Sequence, residues 1–187
     1  MSLNEKNKAL FLDRDGVVNV DHGYVYQREK FEFIEGVFSA CKTFYDAGYK
    51  IIIVTNQSGI GRGYYTEDDF LALTQWMKAQ FSAHNIEITD VYYCPHHPKN
   101  ALPTYLKSCE CRKPEPGMLL QGIKEHSIDS NRSIMVGDKL SDMQAAQKAH
   151  IATRVLVRSG QRVDESAQQH ANLVINSLSE LPAFITG

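Results

Sequence analysis

Four short stretches of this 187-residue chain carry groups able to work together on a charged substrate. Asp13-Arg14-Asp15-Gly16 follows an apolar run. Its two aspartates stand two residues apart, so in an extended segment their carboxylates point to the same side. Thr55-Asn56 closes a second apolar run. Gly137-Asp138-Lys139 closes a third, with Asp142 shortly beyond, and Arg112-Lys113-Pro114 precedes a helical pattern. A lone aspartate after a strand is usually a cap or turn residue, and a lone Lys-Pro is usually surface. Carboxylates, a hydroxyl and a lysine at several strand ends are compatible chemistry and point instead to one site.

A fifth stretch suits a metal. Cys94-Pro95-His96 and Cys109-Glu110-Cys111 hold three of the chain's four cysteines. Three thiolates and one imidazole match tetrahedral Zn²⁺. A redox Cys-x-Cys pair has no use for His96, and a catalytic zinc needs an open position that four protein ligands close. A structural zinc in the loop 94–111 is the expectation, with His97 an open alternative to His96. Cys111 lies two residues before Lys113, so this metal would hold Arg112 and Lys113 in place without touching substrate. Cys41 falls on an apolar helical face and reads as core.

Strands must carry these groups. The runs 9–12, 50–56, 133–137, 154–158 and 172–176 are short, apolar and rich in β-branched residues, as strands buried on both faces are. Between them, 36–47, 66–84, 117–126 and 141–149 read as helices. Val37, Cys41 and Phe44 share one face of the first, and Gly48 stops it. Thr66 and Asp69 form a capping signal for the second. This β-α-β-α order predicts a doubly wound, Rossmann-like α/β parallel sheet, whose ligands sit beyond the carboxyl ends of the strands.

Bulk properties bound the function. Apolar content of 43% and charged content of 22% suit one globular domain over 1–187, with residues 1–8 a mobile tail. A net charge of −2 without a basic run argues against nucleic acid or an anionic membrane surface as partner. No apolar run is long enough to span a bilayer, and no signal peptide opens the chain. The expected place is the cytoplasm, and the expected state a monomer.

The motifs "FLDRDGVV", "IIIVTNQSG", "RKPEPG" and "MVGDKLSDMQAA" resemble, in order and approximate spacing, the four motifs of the haloacid dehalogenase-like (HAD) phosphohydrolases. The usual first motif ends in Thr; here Val17 removes a hydroxyl contact but no group needed for the chemistry. The resemblance implies Asp13 as the nucleophile that becomes an aspartyl phosphate, and Asp15 as the acid and then the base. It implies Mg²⁺ held by Asp13, Asp138 and the backbone carbonyl of Asp15. Thr55 and Lys113 would bind the phosphoryl oxygens. Asp142 either orients Lys113 or the metal waters, or is a first-turn helix carboxylate.

The zinc loop before Lys113 narrows the resemblance to a branch acting on heptose bisphosphate and on histidinol phosphate. The segments "NVDHGYV", "VTNQSGIGRG" and "YYCPHHP" favour the heptose side. That implies a small-molecule sugar bisphosphate as substrate, with the C7 phosphate removed during nucleotide-activated heptose synthesis for lipopolysaccharide or related glycans. Arg14, Asp21, His22, Gly23, Tyr24, Asn56, Gln57 and Ser58 would contact it. Arg112 would grip the second phosphate, and Lys139 would add charge beside the metal. The intervals 14–54 and 56–112 leave no room for a large cap, so the site should be open. Arg62 could reach an anion but reads as solvated. Histidinol phosphate is the enzymatic alternative, with Asp21 available for its amine. A zinc-stabilised binding protein with a vestigial site is the non-enzymatic one.

Overall fold

The computed structural model describes residues 6–185. Six strands, β1 (Lys8–Leu12), β2 (Tyr49–Asn56), β3 (Ile88–Cys94), β4 (Ile134–Gly137), β5 (Thr153–Val157) and β6 (Leu173–Ile175), form one sheet. Their order is β3-β2-β1-β4-β5-β6 and every pairing is parallel. The helices are α1 (Val37–Asp46), α2 (Ser58–Gly61), α3 (Glu67–Ala83), α4 (Gly117–Glu125), α5 (Leu140–Lys148), α6 (Glu165–His170) and α7 (Leu181–Ile185).

Strand alternation sends side chains into two cores. Leu10, Leu12, Ile51, Ile53 and Val136 pack with Val37, Cys41 and Phe44 of α1 and with Leu73, Met77 and Phe81 of α3. Phe11, Ile52, Val54 and Met135 pack on the other face with Met118 and Leu119 of α4 and with Ala145 and Ala146 of α5. Burial on both faces explains why β1, β2 and β4 read as unbroken apolar runs rather than alternating ones. The capping box of α3 forms as expected: the Asp69 N–H donates to Thr66 Oγ1 (3.1 Å), and the Thr66 N–H donates to Asp69 Oδ2 (2.8 Å).

Three features depart from the sequence reading. β3 was not anticipated, because Thr89 and Asp90 break its apolar run and it pairs on one side only, with β2. The short α2, α6 and α7 carry too few turns to show periodicity. Of the expected tail 1–8, residues 1–5 lie outside the described residues, while Asn7 and Lys8 belong to the fold. The Asn7 N–H donates to Ser127 O (2.9 Å), its carbonyl accepts from the Asp129 N–H (2.7 Å), and Lys8 opens β1. The connections 13–36 and 95–116 are loops with one short 3₁₀ turn, Arg28–Lys30, and no cap domain. No helix among the described residues is long and apolar enough to cross a membrane.

Candidate active site

β1 and β4 lie side by side, but the chain leaves them toward opposite edges of the sheet. Their carboxyl ends therefore form the crevice that doubly wound sheets use for ligands. Asp13 extends β1 by one residue, its N–H donating to Val136 O (3.0 Å). The chain then turns tightly, with the N–H groups of Val17, Val18 and Asn19 gathered on Arg14 O. Gly16 has φ +90°, and a Cβ there would stand 2.5 Å from Asp138 Oδ2. Glycine is needed at this point for both conformation and space.

Lys113 arrives from the far side of the sheet. Its ammonium meets Asp13 Oδ1 (3.0 Å) and Asp142 Oδ1 (2.7 Å), and donates to Val54 O (2.8 Å). Its backbone is clamped by the Asn56 side chain: Lys113 N–H donates to Asn56 Oδ1 (3.0 Å) and Asn56 Nδ2 donates to Lys113 O (3.0 Å). Burial alone would lower the pKa of this lysine, but Asp13 and Asp142 hold it well above the ordinary value. The other oxygen of Asp142 accepts from the N–H groups of Asp138 (3.2 Å) and Lys139 (3.0 Å), capping α5. Asp142 thus combines two of the readings left open by sequence: it pairs with the lysine and serves the helix.

Asp15 sits in a cage of donors. Arg14 Nη2 (2.9 Å) and Asn19 Nδ2 (3.0 Å) donate to one oxygen, and Gln57 Nε2 (3.1 Å) donates to the other. Burial pushes its pKa up, but the Arg14 charge and these hydrogen bonds outweigh burial and hold it below the ordinary aspartate value. Gln57 Nε2 also donates to Thr55 Oγ1 (2.8 Å), and Gln57 Oε1 accepts from the Tyr65 hydroxyl (2.5 Å). Arg14 does not line the cavity over the strand ends. It is buried, donates to Val25 O (2.6 Å), and lies near the rings of Phe31 and Phe70. Its side chain faces the core and braces Asp15.

Asp13, Asp138 and Asp142 present carboxylate oxygens within 4.8 Å of one another. Burial, together with the neighbouring aspartates, raises Asp13 to about 6 and Asp138 to about 8. Asp138 Oδ2 accepts from the Gln161 N–H (2.8 Å), whereas its Oδ1 is buried without a partner among the described residues. A buried oxygen acceptor beside like charges is what a hard cation satisfies, so these residues fit Mg²⁺. Gln161 is a site residue that sequence reading missed. Its Nε2 also donates to Asp21 Oδ2 (2.8 Å), and Lys139 Nζ lies 3.7 Å from that oxygen.

Cys94 ends β3, and the loop after it returns Cys109 and Cys111 to its side. Sγ of Cys94 lies 3.5 Å from that of Cys109 and 2.7 Å from that of Cys111, and His96 Nδ1 is 3.6 Å from Cys94 Sγ. All four ligand atoms fall within 4.8 Å, a donor set that fits tetrahedral zinc. His97 is turned elsewhere: its Nδ1 accepts from the N–H groups of Lys99 (3.1 Å) and Asn100 (3.0 Å). Of the two histidines, His96 is the one that joins the cysteine cluster. Tyr105 in the loop and Tyr93 of β3 both donate to Glu67 at the start of α3 (2.8 and 2.5 Å), tying the loop to the domain.

A cavity of about 570 Å³ opens over the strand ends. Of the residues expected at substrate, Asp21, Gly23, Tyr24, Asn56, Gln57 and Ser58 line it. So do Asp15, Arg112, Lys113 and Lys139, together with Tyr65 and Ser141, which sequence reading did not single out. An inner recess reaches Asp13 and Asp142. Thr55 and Asp138 are buried beside it. His22 does not line this cavity: its Nε2 faces Glu32 Oε2 (3.1 Å) at the surface. A larger groove of about 630 Å³ near Tyr45 and Lys78 lies away from the strand ends.

Known proteins resemble this chain in sequence and fold. The HAD-hydrolase-like family model matches residues 110–181. A D-glycero-beta-D-manno-heptose-1,7-bisphosphate 7-phosphatase of Photorhabdus laumondii is 52% identical over 96% of this chain and 95% of its own. The protein of that name from Escherichia coli K12 is 48% identical over 95% and 93%. The crystal structure of D,D-heptose 1,7-bisphosphate phosphatase from B. bronchiseptica, complexed with magnesium and phosphate, superposes with a TM-score of 0.80 at 27% identity, covering 96% of this chain and 98% of that one.

Proposed function

The chain belongs to the HAD-like hydrolases, in the family of the D-glycero-beta-D-manno-heptose-1,7-bisphosphate 7-phosphatases, and from that premise we propose that it removes the C7 phosphate of this sugar bisphosphate. The observation that carries the reading is the gathering of Asp13, Asp15, Lys113 and Asp142 at the floor of an open cavity whose wall includes Arg112.

A phosphate monoester repels an anionic nucleophile unless its charge is offset. Asp13, Asp138 and the backbone carbonyl of Asp15 would hold Mg²⁺, which supplies positive charge against the phosphoryl oxygens when bound. Lys113 supplies a second charge. Thr55 Oγ1 already accepts from Gln57, so its own hydrogen is available to a phosphoryl oxygen. Asp13 attacks phosphorus, the P–O bond to C7 breaks, and Asp15 protonates the leaving alkoxide. Water, deprotonated by Asp15, then attacks the aspartyl phosphate, releasing phosphate and restoring Asp13. The cage holds Asp15 as a carboxylate at rest; a phosphate dianion beside it favours the protonated form needed for the first step.

The second phosphate would lie on Arg112, whose planar fork suits it. Cys94, His96, Cys109 and Cys111 would hold a structural zinc that steadies Arg112 and Lys113. Histidinol phosphate is less favoured, since the Asp21 carboxylate is already engaged by Gln161 and Lys139. The test is phosphate release from heptose 1,7-bisphosphate and histidinol phosphate with Mg²⁺, using Asp13→Asn as blank and ³¹P NMR of the product. The expected result is at least a hundredfold preference in kcat/KM for the bisphosphate with loss only at C7. Preference for histidinol phosphate would reassign the substrate, and rates equal to the blank on both would revive the binding-protein reading.

A further inference from the structure

Arg62 caps the C-terminal end of α2, on the turn Gly61-Arg62-Gly63. It is half-buried. Its Nε is buried and donates to nothing among the described residues. A buried N–H without an acceptor is costly, and on a cationic group its natural answer is an anion. Its central carbon lies 6.0 Å from the ring centroid of Tyr24. Tyr24 lines the cavity, and its ring meets Tyr64 edge-on at 4.8 Å. The Tyr24 backbone is held at φ 52°, a conformation uncommon for a bulky residue and one that surrounding structure must sustain.

The turn carrying Arg62 also packs on the loop that Arg112 holds. Gly61 O accepts from the Leu102 N–H (2.6 Å), and a Cβ on Gly61 would come within 2.4 Å of Pro95 O. The turn carrying Arg62 is therefore pressed onto the loop at Pro95. Arg112 grips the next residue of that loop, its Nη1 donating to His96 O (3.2 Å). Two guanidinium-bearing side chains thus spring from either side of one dipeptide: Arg112 lines the cavity, and Arg62 adjoins its wall at Tyr24.

We propose that Arg62 is a second arm, beside Arg112, of the subsite for the non-reacting phosphate of a sugar bisphosphate, and that the Tyr24 ring, backed by Tyr64, walls the sugar between the two phosphates. This rests on the functional reading above. Two planar forks can share one phosphate through charge-assisted hydrogen bonds. Arg62 would then separate a bisphosphate from the corresponding monophosphate and contribute little to chemistry at C7.

The experiment compares the unmodified protein, Arg62→Ala and Arg62→Lys, each loaded with Mg²⁺, on heptose 1,7-bisphosphate and on heptose 7-phosphate, with thermal unfolding of all three. Loss of one hydrogen bond to a charged group corresponds to about a tenfold to hundredfold fall in kcat/KM. Arg62→Ala should show that fall on the bisphosphate, chiefly through KM, and a fall at least tenfold smaller on the 7-phosphate. Arg62→Lys should recover part of it at unchanged Tm. Equal falls on both substrates would make Arg62 a packing residue under Tyr24 and overturn the subsite, as would no fall on either. An unmodified protein inactive on the bisphosphate but active on another phosphate monoester would instead overturn the functional reading, and the subsite with it.

Discussion

Lys113 is the residue on which the site's order converges. Its ammonium lies among three oxygens, ion-paired with Asp13 and Asp142 and donating to the Val54 carbonyl, so its position is over-determined from the head. Asn56 over-determines it from the backbone. Removing the second constraint tests whether the first suffices. Asn56→Ala should lower kcat/KM by about tenfold to a hundredfold, because small misplacements of a charge-bearing group at a reacting centre cost that much. Two lost hydrogen bonds should also cost about 1–3 kcal/mol of stability. Steady-state kinetics and denaturant unfolding read the two effects separately, and full activity would remove Asn56 from a positioning role. Arg14 teaches the opposite lesson. It stands in sequence between the two aspartates of the proposed mechanism, yet its charge is spent inward on Asp15 and Val25.

Among elements, the loop 95–111 and α3 depend on each other through Glu67. The Tyr93 and Tyr105 hydroxyls donate to that carboxylate and hold its pKa below the ordinary glutamate value. If zinc closes the loop, a strong chelator should raise hydrogen exchange across 95–113 and lower kcat/KM by at least about tenfold, while the far-UV CD of the sheet persists. A chelated protein with full activity and an ordered Lys113 would exclude the supporting role. The start of α3 offers a pH test. The Thr66 backbone N–H, then its hydroxyl, depress the pKa of Asp69. A depressed carboxylate contributes stability that is present above its unfolded value, near 3.8, and is lost as pH falls through the folded one. Asp69→Ala should therefore lower Tm at pH 7, and by less as pH falls below 3.8. A deficit that did not shrink at all below that pH would mean that the lost contact is not the ionised cap.

At the scale of the whole molecule, the sheet carries the stability and its carboxyl edge carries a liability. Burial and the neighbouring carboxylates push Asp138 up to about 8, so above its ordinary range it opposes folding of the metal-free protein, more strongly as pH rises toward 8. Function has been placed where the fold is least content, as is common for metal sites. Asp138→Asn should abolish Mg²⁺-dependent phosphatase activity yet raise the Tm of the metal-free protein at pH 8, with a smaller gain at pH 5. Mg²⁺ should raise the Tm of the unmodified protein and leave that of the variant unchanged. A variant less stable than the unmodified protein at pH 8 without Mg²⁺ would refute this account.

The amino-acid sequence alone determined the groups at the strand ends, the Cys₃His set, and the helices α1, α3, α4 and α5, because apolar periodicity, caps and motif spacing are local properties. It could not reveal β3, whose identity depends on pairing with β2 across the 31 intervening residues 57–87, with a register shift between Ile51 and Ile52.

 
Nor could it separate His96 from His97, or assign Arg14, His22, Arg62 and Gln161, whose parts are set by contacts distant in sequence. Gln161 reaches Asp21 across a separation of 140 residues. Such pairings exist only once the sheet has brought loops from opposite ends of the chain to one edge, and no local pattern records them. The residue types state which chemistry is available; the tertiary structure decides which of them face the substrate and which only hold the others in place.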